Sequence, residues 1–291
     1  MASLFQFDAI GTRWKIHIKD SLLKERESFI LDSIGERIER YDKTYSRFRA
    51  DSLVTRMSQK IGTFILPADS KELFSLYRKF YDITNGKVTP LIGDVLSAAG
   101  YDAEYSLTQT GLLETPVLWD EALWYESCSL VVRKPVRIDI GAGGKGHLVD
   151  IVGKLLENMN IVEYTIDAGG DIRTRSIESS LRVGLENPFD TSEVVGVAHI
   201  INQSICGSAG SRRTWGAFHH IIDPHTLTSP REIAAVWVIA DTTFLADMLA
   251  TALFFVSPEL LSVHFSFEYV LLNSSMILRS SPDFPGEFFR Q

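Results

Sequence analysis

Residues 139–146 read Asp-Ile-Gly-Ala-Gly-Gly-Lys-Gly, and from His147 the chain continues with the apolar spacing of a helix. Four glycines within six residues let the backbone approach a ligand closely, and the helix start that follows supplies free N–H groups. Lys145 adds a positive charge, so the combination suits a phosphate group. The spacing is neither that of a Walker A loop nor that of a dinucleotide fingerprint. Ligand binding and a plain tight turn therefore stay equally open at this point.

The rest of the second half alternates between strand-like and helix-like patterns. Strands are predicted over 131–140, 162–166, 181–185, 194–201 and 233–240. Helices are predicted over 147–158, 243–255 and 258–264, and a closing hairpin over 268–279. No internal repeat, low-complexity segment or linker marks a domain boundary. These patterns predict a mixed α+β protein.

The amino-terminal half begins with a predicted sheet and continues with two predicted helices. Apolar residues fall on every second position on both sides of Gly11-Thr12, which predicts a half-buried hairpin over 5–18. A long helix is predicted from Asp20, with an apolar stripe at Leu23, Ile30, Ile34, Ile38, Tyr41 and Tyr45. A second helix is predicted to begin at Asp69, where Glu72 completes a capping box, and to end at Asn85-Gly86.

Composition excludes several classes of protein. The 29 Lys and Arg residues against 37 Asp and Glu give a net charge of −8, which argues against nucleic-acid binding. The two cysteines, Cys128 and Cys206, are too few for a disulfide framework or a thiolate metal site. The most apolar stretch, 233–256, contains Asp241 and Asp247, which disfavours a transmembrane segment. The amino terminus has no signal-peptide pattern, so we expect a cytoplasmic protein or the processed form of an exported one.

Two further runs contain residues that could do chemistry. The first, Asp-Ala-Gly-Gly-Asp-Ile at 167–172, follows a predicted strand, and its paired glycines indicate close backbone packing more often than a site. The second, His-His-Ile-Ile-Asp-Pro at 219–224, could supply an acid–base group or a metal ligand. Adjacent side chains of a strand point to opposite faces, so at most one of His219 and His220 faces a given target.

A fourth run, at 242–255, combines an apolar helix with an unusual carboxylate. Thr243 is a candidate helix cap, and Asp247 and Thr251 are four residues apart, so they share one helix face. A carboxylate among apolar neighbours must be hydrogen-bonded, protonated or bound to a cation. Hard oxygen ligands of this type suit Mg²⁺. From the residues alone, a structural hydrogen bond and a metal ligand are equally consistent with Asp247.

Taken together, the four runs resemble the ApbE family, the FAD:protein FMN transferases. That family's pattern reads approximately D-x-G-A-x-x-K-G, then x-x-G-G-D, H-I-I-D-P-x-T and A-D-x-x-A-T. The corresponding segments here are 139–146, 168–171, 220–226 and 246–251. Segments 9–12, 45–52 and 85–91 are similar to the family's M-G-T, S-x-Y-x-x-x-S and T-x-x-P-L segments. The resemblance therefore covers nearly the whole chain.

The resemblance implies a T-fold-like α+β architecture of mixed sheets with packed helices. It implies a single domain over 1–291, which could consist of two intimately joined lobes. The implied activity is Mg²⁺-dependent transfer of the FMN moiety of FAD to a Thr or Ser hydroxyl of an acceptor flavoprotein, with release of AMP. The implied partners are FAD, Mg²⁺ and that acceptor protein.

The resemblance also assigns roles to individual residues. The metal would be held by the side chains of Asp247 and Thr251 and by the carbonyls of Ala142 and Ala250. The FAD contacts it implies are Ile10, Phe48, Gly100, Tyr101, Asp139, Lys145 and Ile222. His220 of the H-I-I-D-P motif is the candidate general base, because an acceptor hydroxyl must lose its proton as it attacks phosphorus. His219 has no counterpart in the motif.

This sequence departs from the family pattern in places that bear on the acceptor. Leu227 stands where the family commonly has glycine, and segment 207–215 matches the family only loosely. Two alternative functions therefore remain. One is an FAD pyrophosphatase that uses water as nucleophile and yields FMN and AMP. The other is a non-catalytic FAD-binding protein, against which the presence of Lys145, His220, Asp247 and Thr251 argues.

Overall fold

The computed structural model describes residues 2–177 and 179–289. Its strands, numbered in chain order, are β1 (Ser3–Ala9), β2 (Thr12–Ile18), β3 (Gly62–Ile65), β4 (Leu123–Glu126), β5 (Ser129–Val132), β6 (Tyr164–Ala168), β7 (Asp171–Arg175), β8 (Leu181–Glu186), β9 (Val194–Ile200), β10 (Ser204–Ala209), β11 (Thr214–Trp215), β12 (Phe218–His219), β13 (Ile233–Ala240), β14 (Glu268–Asn273), β15 (Leu278–Ser280) and β16 (Gly286–Phe288). Its α-helices are α1 (Lys24–Tyr45), α2 (Leu53–Met57), α3 (Ser70–Ile83), α4 (Gly93–Ala98), α5 (Trp119–Ala122), α6 (Gly144–Asn158), α7 (Thr243–Ala252) and α8 (Pro258–Ser262).

The central feature is an eight-stranded antiparallel sheet in the order β1-β2-β6-β7-β10-β13-β14-β15. Helices α6 and α7 pack against each other and against its strands β7, β10 and β13, and α1 packs on α6. Smaller three-stranded sheets follow the orders β16-β9-β8 and β3-β5-β4. Among the helices of the described residues, none combines the length and apolar character that crossing a bilayer requires.

Strand β13 shows why 233–240 is apolar at almost every position. Val236, Val238 and Ala240 belong to the main core with the helices, whereas Trp237 and Ile239 belong to a second core with β8 and β9. The strand is therefore buried on both faces, and a continuous apolar run is the pattern expected for such a strand. The predicted bounds of this strand are confirmed.

The amino-terminal hairpin is confirmed, and the predicted helix starts require correction. Strands β1 and β2 pair through Phe7 and Trp14, with the turn at Ile10-Gly11. Helix α1 begins at Lys24 and not at Asp20, and Leu23 is 76% exposed, so it lies outside the buried stripe. The capping box at Asp69 is wrong as well. The Asp69 carboxylate makes no cap bond but pairs with Arg37 and accepts a 2.8 Å hydrogen bond from the Tyr45 hydroxyl.

The largest error in the predicted strands concerns 131–140. Only its first residues form a strand, β5, and the chain from 133 to 140 runs without strand pairing toward α6. Val136 and Ile138 are buried there, so the alternating pattern reflects burial of an extended segment. Pro135 has no N–H to donate to a ladder, which is consistent with the end of the strand. This extended segment ends at the start of α6, so Asp139 lies close to that helix start.

Candidate active site

A cavity of about 670 Å³ opens where the β1–β2 turn, the segment after α1, the start of α6 and one side of α7 meet. Most residues that the sequence predicts for the site line this cavity: Ile10, Phe48, Tyr101, Asp139, Ala142, Lys145, His220, Ile222, Asp247 and Thr251. The fold thus brings together segments that are up to about 240 residues apart in the chain.

Gly100 and Ala250 are the two predicted site residues that do not line the cavity. Gly100 has a φ of +110°, and a Cβ there would lie 2.5 Å from the backbone nitrogen of Thr108. Glycine is thus required for the fold of this loop. Ala250 is completely buried within α7, and because its methyl side chain has no donor atom, only its backbone carbonyl could bind a metal.

The glycines of 139–146 allow α6 and α7 to pack closely. A Cβ at Gly143 would lie 2.5 Å from the Met248 side chain, and one at Gly146 would lie 2.4 Å from the Thr243 carbonyl oxygen. Helix α6 begins at Gly144, within the run, so its last glycines belong to the first helical turn. Packing accounts for these two glycines, while the neighbouring Ala142 and Lys145 face the cavity.

Helix α7 is fixed at its start by two side chains. The N-cap is Thr242, whose side chain accepts from Leu245 N–H, and the predicted cap Thr243 is the first helical residue. Asp150 of α6 accepts hydrogen bonds from the N–H groups of Thr243 and Phe244 at 3.0 and 2.8 Å. These bonds satisfy helix-start N–H groups and set the position of α7 relative to α6. One turn later, Asp247 Oδ2 accepts from Gly146 N–H at 2.9 Å.

The predicted metal ligands lie together at this helix pair. Thr251 Oγ1 donates to the Ala142 carbonyl at 3.2 Å, and Asp247 is one turn before Thr251. Burial raises the pKa of Asp247 well above its ordinary value, and the nearby Asp171 carboxylate adds to this effect. A carboxylate in such a place is stabilised by a cation. Carboxylate, hydroxyl and carbonyl oxygens are the donors that Mg²⁺ prefers, so these residues fit that ion.

A metal at this place would depend on more than acidic and histidine side chains. Across residues 2–177 and 179–289, no three His, Cys, Asp or Glu side chains cluster so as to hold a metal ion. Backbone carbonyls and a threonine hydroxyl would have to complete the coordination, as is usual for hard cations.

Lys145 forms a buried ion pair that the sequence analysis did not predict. Its Nζ lies 2.5 Å from Oδ2 of Asp171, the first residue of β7, and the Asp171 side chain is fully buried. Burial disfavours the ammonium, but the carboxylates of Asp171 and Asp247 outweigh this effect and raise the pKa of Lys145. The lysine is therefore a fixed positive charge at the cavity wall. The sequence signal for Asp171 was the Gly-Gly-Asp run at 169–171.

Aromatic and cationic side chains from two other segments also line the cavity. Arg47 is ion-paired with Asp139, and its guanidinium carbon lies 4.2 Å from the ring centroid of Phe48. Tyr105 stacks on Phe48 with centroids 5.3 Å apart and planes 20° apart. Arg47 and Tyr105 line the cavity but were not predicted. Arg47 lies beside Phe48 in a matched segment, whereas nothing in the sequence around Tyr105 indicates a site.

The two adjacent histidines have different surroundings. His219 is buried, its Nε2 lies 2.8 Å from the Pro230 carbonyl, and its Nδ1 accepts from Ile221 N–H at 3.2 Å. His220 follows β12, lines the cavity, and its buried Nδ1 has no hydrogen-bond partner in the described part of the chain. Burial, with a smaller contribution from Arg213, lowers the pKa of His220 to about 3. Its imidazole is therefore neutral in the free protein.

The sequence matches a known protein family over most of its length. The model of the ApbE family matches residues 10–264 of this chain. The chain belongs to the ApbE family. The match includes every segment that lines the cavity.

Relatives of the ApbE family in the curated proteins are distant in sequence and cover most of the chain. The FAD:protein FMN transferase of Escherichia coli (strain K12) is 23% identical over an alignment of 274 residues, and the match covers 86% of this chain and 77% of the relative. The FAD:protein FMN transferase of Haemophilus influenzae is 27% identical over an alignment of 239 residues, and the match covers 74% of this chain and 68% of the relative.

Solved ApbE structures share the fold. The ApbE protein of Thermotoga maritima superposes with a TM-score of 0.85 at 19% identity, covering 99% of this chain and 100% of the other. The flavin transferase ApbE of Vibrio cholerae superposes with a TM-score of 0.81 at 18% identity, covering 98% of both chains. The predicted α+β architecture is confirmed.

Proposed function

We propose that this chain transfers the FMN moiety of FAD to a Thr or Ser hydroxyl of an acceptor flavoprotein and releases AMP. The observation that carries the proposal is the convergence of Lys145, His220, Asp247 and Thr251 on one cavity. Family membership and the printed names of the curated relatives, FAD:protein FMN transferase, support it.

The cavity's charges suit the pyrophosphate of FAD. A protein with net charge −8 repels a dianionic group at long range, so binding requires local cations. Lys145, Lys87 and Arg213 line the cavity. Tyr105, which stacks on Phe48, lines the cavity and is 49% exposed, so its ring offers an aromatic surface on which a ring system of FAD can stack.

Mg²⁺ is the metal that the donor atoms fit best. Asp247 and Thr251 would hold it with their side chains, and Ala142 and Ala250 with their carbonyls. When bound, the ion would stabilise negative charge on the phosphate oxygens during transfer. Gly146 N–H, which donates to Asp247, would orient that carboxylate.

His220 would act on the acceptor hydroxyl. In the proposed step, the hydroxyl oxygen forms a bond to the phosphorus of the FMN moiety, and the bond from that phosphorus to the AMP oxygen breaks. The hydroxyl proton passes to the His220 imidazole, which is neutral in the free protein and can accept it. The negative charge of bound FAD would raise the His220 pKa toward the range in which a general base works well.

Analysis of the products tests the proposal. The protein is incubated with FAD, Mg²⁺ and an acceptor flavoprotein, and the intact mass of the acceptor and the free nucleotides are measured. Covalent FMN on the acceptor together with AMP supports flavin transfer. Free FMN and AMP with an unmodified acceptor would identify an FAD pyrophosphatase. FAD binding without turnover would identify a binding protein.

We expect Lys145→Ala to weaken FAD binding substantially and FMN binding less, because the ammonium is placed to contact the pyrophosphate. A charge-assisted hydrogen bond contributes roughly 1.5–3 kcal/mol, so the loss for FAD should be roughly tenfold to hundredfold. Flavin fluorescence titration measures the affinities for FAD, FMN and riboflavin. Lys154→Ala, an exposed lysine on the same helix, is the control and should bind FAD normally. Equal losses for FAD and riboflavin would place Lys145 away from the pyrophosphate.

A further inference from the structure

Asp171 is a buried charge that the proposed transfer does not use directly. Its side chain is fully buried, and neither carboxylate oxygen has a hydrogen-bond partner of good geometry within the described residues. The ammonium of Lys145, 2.5 Å away, compensates its charge. Burying an ion pair removes both ions from water at a large desolvation cost, and apolar replacements are often equally stable. Stability alone is therefore a weak explanation for this pair.

Geometry connects Asp171 with the cavity through Lys145. Strand β7 lies beside β10 in the sheet, with Asp171 opposite Cys206, and the next residue, Gly207, lines the cavity. Lys145 comes from the first turn of α6 and reaches both the cavity and Asp171, while its side chain keeps 26% exposure. The carboxylate thus lies behind the ammonium, on the side away from solvent.

We propose that Asp171 is a positioning residue that holds the Lys145 ammonium in place to receive the pyrophosphate of FAD. A free lysine side chain loses rotamer entropy when a ligand fixes it, and an ion pair formed before FAD arrives has already removed part of that entropy. This inference rests on the proposed binding of FAD at Lys145. It adds that the carboxylate favours FAD binding although its own charge repels the phosphates.

A double-mutant cycle on FAD affinity separates positioning from repulsion. The variants are Asp171→Asn, Lys145→Met and the double variant, titrated with FAD and with riboflavin by flavin fluorescence in the presence of EDTA. We expect Asp171→Asn to weaken FAD binding about tenfold when Lys145 is present and less than twofold in the Lys145→Met background. Riboflavin, which has no pyrophosphate, should bind all variants alike. Asp167→Asn, in the neighbouring strand β6 and outside the cavity lining, is the matched control.

Other outcomes overturn the inference. Unchanged or tighter FAD binding by Asp171→Asn would show that the carboxylate only repels phosphate. Equal losses in both lysine backgrounds, or a parallel loss of riboflavin binding, would show a purely structural role. If the wild-type protein itself does not bind FAD, the proposed function is wrong. If FAD binds but the effects of the two substitutions simply add, only the positioning role of Asp171 is wrong.

Unfolding by urea provides a second measurement, which does not use the single variant Asp171→Asn. Lys145→Met leaves the buried Asp171 carboxylate uncompensated, so this variant should be less stable than the double variant, in which position 171 carries no charge. A double variant no more stable than Lys145→Met would contradict the ion pair on which the inference depends.

Discussion

We expect Asp247→Ala to lose Mg²⁺-dependent flavin transfer by about 10³-fold or more while it still binds FAD, though more weakly. Asp247 is the one carboxylate in the proposed ligand set of Asp247, Thr251, Ala142 and Ala250. Without it, only neutral oxygens remain to hold a divalent ion. The stacked rings of Phe48 and Tyr105 come from the segments that follow α1 and α4, so a substitution in α7 does not remove them. Covalent flavin on the acceptor, followed against Mg²⁺ concentration, measures the loss.

Asp247→Asn separates a metal ligand from a structural hydrogen-bonding group. The amide oxygen of asparagine can still accept from Gly146 N–H, so the contact between α6 and α7 is retained. The negative charge is lost, and we expect transfer to fail in this variant as well. Asp241→Asn, at an exposed position just before α7, is the control and should be fully active. Normal activity of Asp247→Asn at ordinary Mg²⁺ would remove Asp247 from the metal site.

Local patterns predicted the elements that are both periodic and well buried. Strand β13 and the β1–β2 hairpin follow from their apolar spacing because each position is set by one or two faces of a sheet. The capping box at Asp69 failed for a non-local reason. Its carboxylate is engaged by Arg37 and Tyr45 of α1, which are distant in sequence and compete with the local cap.

The site could be predicted only as far as its motifs extend. Lys145, Asp247 and Thr251 are identified by short runs, and the cavity contains all three. The partnership of Lys145 with Asp171 depends on the packing of α6 against β7, which no local spacing specifies. Tyr105 lies on a loop whose course depends on Gly100 and on tertiary contacts. The Lys145–Asp171 pair and the position of Tyr105 could therefore be identified only from the folded structure.

The adjacent histidines provide the second large effect. We expect His220→Ala to reduce flavin transfer by about 10²–10⁴, the usual range for loss of a general base, with FAD affinity little changed. His219→Ala should keep transfer within a few-fold of wild type, because both ring nitrogens of His219 are engaged with backbone groups, those of Pro230 and Ile221. In-gel fluorescence of covalent flavin on the acceptor compares the two variants directly. An inactive His219→Ala beside an active His220→Ala would reverse the assignment, and two active variants would remove histidine from the reaction.

The pH dependence of this pair gives an independent test of His220. An imidazole with an ordinary pKa of about 6.5 would become protonated, and inactive as a base, as the pH falls through that value. Burial lowers the pKa of His220 to about 3 in the free protein, so its neutral form persists to much lower pH. In kcat/KM for FAD, which reports the free enzyme, the ratio of wild-type to His220→Ala rates should therefore stay constant from pH 8 to pH 5. Taking the ratio cancels the titration of Asp247, which both proteins share. A ratio that falls with a midpoint near 6.5 would show that the His220 imidazole is solvated in the working enzyme, and a ratio of one at every pH would show that it accepts no proton.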